Sequence, residues 1–258
     1  MAEVPTTHNL LVGKRVVITA AAGTGIGSAV AERCLEEGAS VFISDIHDRR
    51  LEETADRLAE TTGTRPHTAL CNVTVENDVQ ALVTSAVGAM GGIDVLMNNA
   101  GLGGDVDLVD MTDEQWAAVL GVTLDGTMRC TRAVLRHMID VGINGAIVNN
   151  ASVVGWRAQA GQCHYAAAKA GVMALTRCSA IEAAQHGINI NAVAPSIAMH
   201  AFLEKVSDAD FLEELSSREA FGRAATPREV ANVMVFLASD LASYMTGEVV
   251  SVSSQHPL

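Results

Sequence analysis

Residues 16–30 read "VVITAAAGTGIGSAV" and join an apolar strand pattern to an apolar helix pattern through three glycines. Glycines at such a junction let backbone N–H groups approach a pyrophosphate at the positive end of the helix dipole. The G-x-G-x-x-G spacing of a dinucleotide turn is absent, because Gly23, Gly25 and Gly27 lie two residues apart. The stretch alone therefore leaves two interpretations open, a nucleotide-binding turn and a flexible connection.

The sequence around this stretch predicts an α/β domain with a doubly wound parallel sheet. Short runs rich in Val and Ile alternate with longer amphipathic stretches, which is typical of βα units. Right-handed crossovers place helices on both faces of such a sheet, and we expect a single domain over residues 1–258. The predicted strands are residues 16–19, 40–44, 68–73, 93–98, 146–150, 188–194 and 248–252.

Two of the intervening helices have clear end signals. Residues 44–63, "SDIHDRRLEETADRLAETTG", carry acidic residues early and end on Gly63. Residues 226–240, "TPREVANVMVFLASD", begin with Thr followed by Pro at the first helical position. Both patterns are typical of helix boundaries.

The composition argues against several classes of partner. The formal net charge is −13, and no basic cluster is longer than a pair, so we expect no nucleic-acid partner. The five cysteines are widely spaced without a C-x-x-C pair, which predicts reduced thiols in a cytoplasmic protein and no metal site. Because the sequence has neither an 18-residue apolar run nor a signal-peptide pattern, we expect no membrane partner.

Residues 196–226 interrupt the alternation of strands and helices. A long insertion inside a compact domain is typical of a functional lid, and its apolar positions suggest a bulky apolar alcohol or ketone as the substrate. The candidate pocket residues are Trp156, Gln159, Met199, Phe202 and Phe211, and the histidines His164 and His200 are further candidate substrate contacts.

Asp45 ends the second predicted strand, about twenty residues beyond the glycines, where a carboxylate accepts hydrogen bonds from the adenosine ribose hydroxyls. A carboxylate at this position also repels a 2′-phosphate. Asp45 therefore favours NAD over NADP as the cofactor, although Arg49 and Arg50 close by would suit a phosphate.

Ser152, Tyr165 and Lys169 form a candidate catalytic set. Tyr165 and Lys169 are four residues apart, which places them on one face of a helix. A tyrosine with its ordinary pKa of about 10 is a poor acid or base at neutral pH, and a neighbouring ammonium stabilises its phenolate. Such a pair is suited to proton transfer at an alcohol oxygen, and the hydroxyl of Ser152 at a strand end is suited to holding that oxygen.

These residues occur together with "GKRVVITA", "DVLMNNAG", "YAAAK", "NAVAP" and "FLASDLASYMTGEVVSV", in that order. The chain thereby resembles the short-chain dehydrogenase/reductase family over essentially its whole length. The resemblance implies a Rossmann sheet of order 3-2-1-4-5-6-7, a nicotinamide cofactor and a homotetramer.

The resemblance also implies roles for individual residues. Tyr165 would be the general acid/base, Lys169 would bind the nicotinamide ribose and tune Tyr165, and Ser152 would orient the substrate oxygen. The remaining implied roles are Asn98 along the adenosine, Asn99 bracing neighbouring strands, Asn72 and Val73 flanking the adenine, and the backbone of Ala198 at the carboxamide.

Three positions depart from the family pattern. Thr123 stands seven residues after Trp116, where the family has a catalytic Asn that holds a water, and we hypothesise that it positions this water less directly. After the sixth strand, "PSIAMH" replaces the family's Pro-Gly and a later Thr.

The third departure is the glycine turn itself. Counting from either end of the turn gives different lengths, which predicts a one-residue insertion with Gly23 at the tight turn. Gly25 and Ile26 are then expected to face the cofactor with Gly23, while Gly27 allows close packing of the first helix on the sheet.

The leading hypothesis is an NAD-dependent oxidoreductase that interconverts a secondary alcohol and a ketone. The segments "TAAAGTGIGSA", "NNASVVGWRAQ" and "PSIAMH" are similar to an actinobacterial branch of the family associated with steroid-ring breakdown, which acts on bicyclic CoA thioesters. Two alternatives remain, an NADPH-dependent 3-oxoacyl reductase and a non-catalytic Rossmann binding module.

Overall fold

A computed structural model describes residues 8–157, 159–200, 203 and 209–254. Its centre is one sheet of seven parallel strands in the order β3-β2-β1-β4-β5-β6-β7, which confirms the predicted order. The strands are β1 (Arg15–Ile18), β2 (Ser40–Asp45), β3 (His67–Leu70), β4 (Val95–Asn98), β5 (Ala146–Asn150), β6 (Asn189–Pro195) and β7 (Val249–Val252). The helices are α1 (Ile26–Glu36), α2 (Asp48–Thr62), α3 (Glu76–Met90), α4 (Asp113–Leu120), α5 (Gly126–Val141), α6 (Cys163–Ala184), α7 (Ala209–Arg218) and α8 (Pro227–Ala238).

Each face of the sheet packs against its own hydrophobic core. Successive side chains of a strand point to opposite faces, so Val16 and Ile18 join one core and Val17 joins the other. Helices α1 and α8 cover the first face, and α3 and α5 contribute to the second. Burial on both faces explains why the strands are continuous apolar runs.

The predicted helix ends are confirmed at α2 and α8. Gly63 follows α2 in the left-handed conformation with φ +76°, which glycine adopts without steric cost. Thr226 precedes α8 and forms a reciprocal capping box with Glu229, and Pro227 occupies the first helical position.

The third strand is shorter than the predicted 68–73. It ends at Leu70, and Asn72 begins a turn in which its Oδ1 accepts hydrogen bonds from the backbone N–H of Thr74 at 3.0 Å and from the Thr74 hydroxyl at 2.8 Å. An Asn side chain that bonds to the backbone two residues later favours a turn over a strand. Asn72 and Val73 therefore lie in the loop between β3 and α3.

The segment 196–226 closes on itself at its base. Ala198 and Ala225 form a parallel bridge, with Met199 N–H donating to the Ala225 carbonyl at 2.9 Å and Ala225 N–H donating to Ile197 at 2.9 Å. Helix α7 lies between these ends. Phe202 and the side chain of Phe211, two of the expected pocket residues, lie outside the described residues.

Candidate active site

Ser152, Tyr165 and Lys169 come together where the carboxyl end of β5 meets α6. Gly155 makes this approach possible, because a Cβ at this position would lie 3.0 Å from the backbone N of Ala170. The turn that follows Ser152 can therefore lie directly on α6. The hydroxyls of Ser152 and Tyr165 are hydrogen-bonded, and Lys169 Nζ lies 5.5 Å from the centre of the Tyr165 ring.

Burial determines the charge state of this pair. It raises the pKa of Tyr165 to about 12, which the hydrogen bond with Ser152 only partly offsets, and it lowers the pKa of Lys169 to about 8. We expected the ammonium to lower the pKa of Tyr165, but Lys169 instead donates a hydrogen bond to the backbone carbonyl of Asn150 at 2.5 Å. Tyr165 is thus a protonated phenol at neutral pH.

Thr123 lies in a π-helical turn, Gly121–Asp125, between α4 and α5 and is fully buried. Its hydroxyl donates to the Leu102 carbonyl at 3.1 Å and accepts from the Leu102 N–H at 2.9 Å. The one hydroxyl proton is therefore used on the backbone. These two bonds fix the loop after β4 near Lys169, where the Cβ position of Gly101 is 3.5 Å from Nζ, and the expected role of Thr123 in positioning a water stays a prediction.

The glycine turn follows β1 and contains the expected tight turn at Gly23, with φ +92°. Ala20 also adopts a positive φ of +51°, which is uncommon for a residue with a Cβ. The turn is fixed by hydrogen bonds, since Ala22 N–H donates to Asp45 Oδ2 at 3.2 Å and Gly23 N–H to Thr54 Oγ1 at 2.8 Å. The turn is therefore anchored to β2 and α2, and the one-residue insertion stays a prediction.

Gly27 packs closely against neighbours other than the sheet, which was the contact expected from the sequence. A Cβ at this position would lie 2.5 Å from the Ala20 carbonyl oxygen and 2.5 Å from Asn99 Nδ2, so Gly27 packs on the turn and the loop after β4, not on the strands of the sheet. The first helical residue is Ile26, and Gly25 at the N-cap has no side chain to satisfy the free N–H groups. An uncapped helix start without acidic residues fits the pyrophosphate of a dinucleotide.

Asp45 lies at the end of β2 beside this turn, where the ribose of a dinucleotide is expected. Its Oδ1 accepts the His47 N–H at 3.1 Å. Burial raises the pKa of Asp45, and the hydrogen bond from Ala22 and the charge of Arg50 oppose this effect. Arg49 pairs with Glu53 at 3.5 Å on the exposed side of α2.

The two asparagines after β4 have different partners. Asn98 is 2% exposed, and its amide donates to Thr131 Oγ1 at 2.9 Å and to Asn149 Oδ1 at 2.8 Å. Its amide nitrogen is thus used within the fold, and the expected position of Asn98 along the adenosine stays a prediction. Asn99 donates to the Ala20 carbonyl at 2.9 Å and thereby joins the turn to the loop after β4.

At the adenine end of the expected site, Asn72 is exposed and Val73 is buried. A Cβ at Gly126 would lie 2.6 Å from Val73 Cγ2, so the start of α5 packs closely on this loop. Ala198, the expected backbone contact for the carboxamide, is buried in the bridge with Ala225.

The four candidate substrate residues have different surroundings. Trp156 is half exposed after the Ser152 turn, and Gln159 is partly buried. His164 is 2% exposed. A Cβ at Gly104 would lie 2.7 Å from its Nε2, so the loop after β4 lies against the ring. His200 lies on the glycine turn, with its Nδ1 3.8 Å from the Cβ position of Gly25, and this contact places it at the cofactor turn.

Sequence reasoning missed Asn150, which accepts the hydrogen bond of Lys169. The available signal was the pair Asn149–Asn150 directly before Ser152. Period-2 alternation assigns these two side chains to opposite faces, but it does not reveal their partners.

Within residues 8–157, 159–200, 203 and 209–254, no three His, Cys, Asp or Glu side chains are grouped closely enough to bind a metal ion. In the same part of the chain, no helix has the length and apolar character needed to cross a membrane.

The chain is similar to known proteins over nearly its whole length. A family model described as "Enoyl-(Acyl carrier protein) reductase" matches residues 20–254. A Mycobacterium tuberculosis protein named "(5R,7aS)-5-hydroxy-7a-methyl-1-oxo-2,3,5,6,7,7a-hexahydro-1H-indene-carboxyl-CoA reductase" is 60% identical over 250 residues, covering 97% of this chain and 95% of its own. The 3-oxoacyl-(acyl-carrier-protein) reductase FabG of Thermotoga maritima is 41% identical over 242 residues, with 94% and 97% covered. The crystal structure of a short chain dehydrogenase from Mycobacterium smegmatis is 57% identical, with a TM-score of 0.87 and 99% of both chains covered.

Proposed function

Because this chain belongs to the short-chain dehydrogenase/reductase family of oxidoreductases, we propose that it interconverts a ring alcohol and a ring ketone on a bicyclic CoA thioester with NAD(H). The observation that carries the chemistry is the buried set of Ser152, Tyr165 and Lys169 at the carboxyl edge of the sheet. The 60% identity to an indene-carboxyl-CoA reductase supports the substrate class.

In the proposed reaction the nicotinamide cofactor supplies or accepts the hydride. Tyr165 transfers a proton from its hydroxyl to the ketone oxygen during reduction and takes it back during oxidation. Ser152 hydrogen-bonds the same oxygen and orients it toward Tyr165. Lys169, one helical turn from Tyr165, binds the nicotinamide ribose and places positive charge beside the phenol.

The residues around the glycine turn have proposed roles toward the cofactor. The start of α1, with Gly25 and Ile26, binds the pyrophosphate through backbone N–H groups, and Gly23 provides the tight turn before it. His200 contacts the pyrophosphate side of the cofactor, since its ring lies against Gly25. Asn72 and Val73 are proposed to contact the adenine of the cofactor, and the backbone of Ala198 its carboxamide. The substrate is proposed to contact Trp156, Gln159 and the 196–226 lid.

NAD is the proposed cofactor because Asp45 places a carboxylate beside the turn. Asp45→Asn should weaken NADH binding by about 10- to 100-fold, since hydrogen bonds to charged groups contribute about 1.5–3 kcal/mol. The same change should improve NADPH binding, because it removes repulsion of the 2′-phosphate. Titration of both cofactors by fluorescence measures this, with Asp110→Asn, an exposed carboxylate elsewhere, as the control. Unchanged NADH affinity in Asp45→Asn would remove Asp45 from the cofactor site.

The pH dependence of ketone reduction should follow Lys169. The pKa of Lys169 is lowered to about 8 by burial, so its ammonium is present below that pH and lost above it. Tyr165 keeps its proton throughout, because its pKa is raised to about 12. We expect kcat/KM for reduction to be flat below pH 7 and to fall about tenfold for each pH unit well above pH 8. A profile that stays flat to pH 10 would exclude a catalytic role for the Lys169 charge.

The proposed assembly is a homotetramer in the cytoplasm. Large apolar side chains are exposed on α4 and α6, with Trp116 38% and Ile181 79% exposed, which supports contacts between subunits. Light scattering of the purified protein measures the assembly, and a monomer would contradict the proposal.

A substrate panel tests the substrate proposal. The purified protein is assayed with NADH and three kinds of ketone: an indene-carboxyl-CoA ring ketone, its free acid, and a linear 3-oxoacyl-CoA. We expect the bicyclic thioester to give the highest kcat/KM. A preference for the linear thioester with NADPH would favour a 3-oxoacyl reductase, and binding without turnover of any ketone would favour a non-catalytic module.

A further inference from the structure

Two side-chain amides link the glycine turn to the catalytic lysine. Asn99 Nδ2 donates to the Ala20 carbonyl at 2.9 Å, and Asn150 Nδ2 donates to Asn99 Oδ1 at 3.0 Å. The backbone carbonyl of Asn150 in turn accepts from Lys169 Nζ at 2.5 Å. Four residues far apart in sequence are thus joined in one continuous chain of hydrogen bonds.

This series of hydrogen bonds is tightly packed where it reaches the glycine turn. The Ala20–Asn99 hydrogen bond lies directly beneath Gly27, whose Cβ would lie 2.5 Å from both of its atoms. The start of α1, the Ala20 carbonyl and the Asn99 amide are thus packed together, and the Asn99 amide is bonded at its other end to Asn150.

The Asn150 amide is only half satisfied. Its Oδ1 is buried and has no hydrogen-bond partner in the described part of the chain. An unpaired buried acceptor is costly. Asn98 on β4 shares this feature, since its Oδ1 also has no partner among the described residues. Asn149 is bonded at both ends, since its Oδ1 accepts from Asn98 and its Nδ2 donates to Thr176 Oγ1 at 2.9 Å.

The surroundings of Lys169 make it sensitive to this link. Gly101, in the loop after β4, lies close to its ammonium and carries no charge, since its Cβ position is 3.5 Å from Nζ, and Tyr165 is the titratable neighbour on its own helix. Burial alone lowers the pKa of Lys169. The Asn150 carbonyl is thus the group that stabilises the ammonium in this setting.

We propose that Asn150 is a positioning residue that couples the dinucleotide turn to Lys169 through the Asn99 amide. The inference rests on the dinucleotide binding proposed above. When the turn is ordered by a dinucleotide, the amide pair fixes the Asn150 carbonyl and thereby the ammonium of Lys169. A residue with this role affects both cofactor affinity and the charge state of the lysine.

The test is NADH binding by fluorescence between pH 6.5 and 9.5, which needs no substrate. In the wild type, affinity should weaken above pH 8 as Lys169 loses its proton. Asn150→Ala should weaken binding at pH 7 by about fivefold, the factor expected from one hydrogen bond, and should move the decline to lower pH because the ammonium is less stabilised. Asn150→Leu, which nearly matches the size of Asn but lacks the amide donor to Asn99 Oδ1, should shift the decline in the same direction.

Asn149→Ala is the matched control, because it removes an amide from the same strand on the opposite face. It should lower the thermal midpoint without moving the pH of the decline. Wild-type protein that fails to bind NADH would overturn the proposed cofactor function itself. If the wild type binds NADH but both Asn150 variants show the wild-type pH dependence, or Asn149→Ala shifts it equally, Asn150 has no positioning role.

Discussion

Replacing Tyr165 with phenylalanine is expected to lower kcat for ketone reduction by about 10²- to 10⁴-fold, the contribution typical of a positioned general acid. The substitution removes one oxygen and keeps the ring beside Lys169, so the fold and cofactor binding should change little. Turnover is followed by NADH absorbance, and the Kd for NADH is measured in parallel.

The chain offers a matched control, because its one other tyrosine is Tyr244. Tyr244 is fully exposed after α8, away from Ser152 and Lys169. Tyr244→Phe should therefore retain wild-type kcat. Equal turnover by the Tyr165 variant and the wild type would show that the ketone oxygen receives its proton from another group.

Replacing Gly27 with alanine is expected to have the largest effect on stability and cofactor affinity together. The new Cβ would lie 2.5 Å from the Ala20 carbonyl oxygen and from Asn99 Nδ2, so the hydrogen bond between these groups must break or the start of α1 must move. Overpacking of this kind costs about 1–3 kcal/mol. A protein of this size loses about 2–4 °C in Tm for each kcal/mol.

Gly88→Ala is the comparison for this prediction. Gly88 lies inside α3, and in the part of the chain that the structure describes nothing lies within 4 Å of its Cβ position. Alanine there should raise stability by about 1 kcal/mol, because it favours the helix. If Gly27→Ala melts and binds NADH like the wild type, the close packing of α1 on the turn is not required.

The sheet and its order were predictable from the sequence. The inner strands are short apolar runs because they are buried on both faces, whereas the edge strand β3, His67–Leu70, has neither Val nor Ile and no buried residue. The order in which the strands pair was implied by the family resemblance. Gly23 at the tight turn was also predictable, since two counts of the loop length differed by one residue. These features depend on local sequence.

The partners of individual polar side chains were not predictable. Asn98 and Asn99 are adjacent and identical, yet one is buried beneath the sheet and the other joins the turn, because strand alternation sends them to opposite faces. Thr123 was interpreted through the side chain it replaces, whereas its hydroxyl is used by the backbone of Leu102, 21 residues away. His200 was assigned to the substrate side because sequence alone does not show that the base of the 196–226 segment reaches Gly25.

The charge states of Tyr165 and Lys169 could also not be predicted from the sequence. Spacing placed Tyr165 and Lys169 on one helical face and predicted an ammonium that stabilises a phenolate. In the structure burial dominates both groups, and the lysine donates to Asn150 instead. Long-range packing, and not the i, i+4 spacing, decides these pKa values.

The transfer of deuterium distinguishes reduction of a ketone from the alternative reactions. The purified protein is given an indene-carboxyl-CoA ring ketone and NADH with deuterium at both C4 positions, and the product is analysed by mass spectrometry and NMR. We expect one deuterium on the carbon that bears the new hydroxyl, with the oxygen's proton coming from solvent through Tyr165. Deuterium on a ring carbon without oxygen would indicate reduction of a carbon–carbon double bond, and no transfer would indicate a binding protein; either result would contradict the proposed alcohol–ketone chemistry.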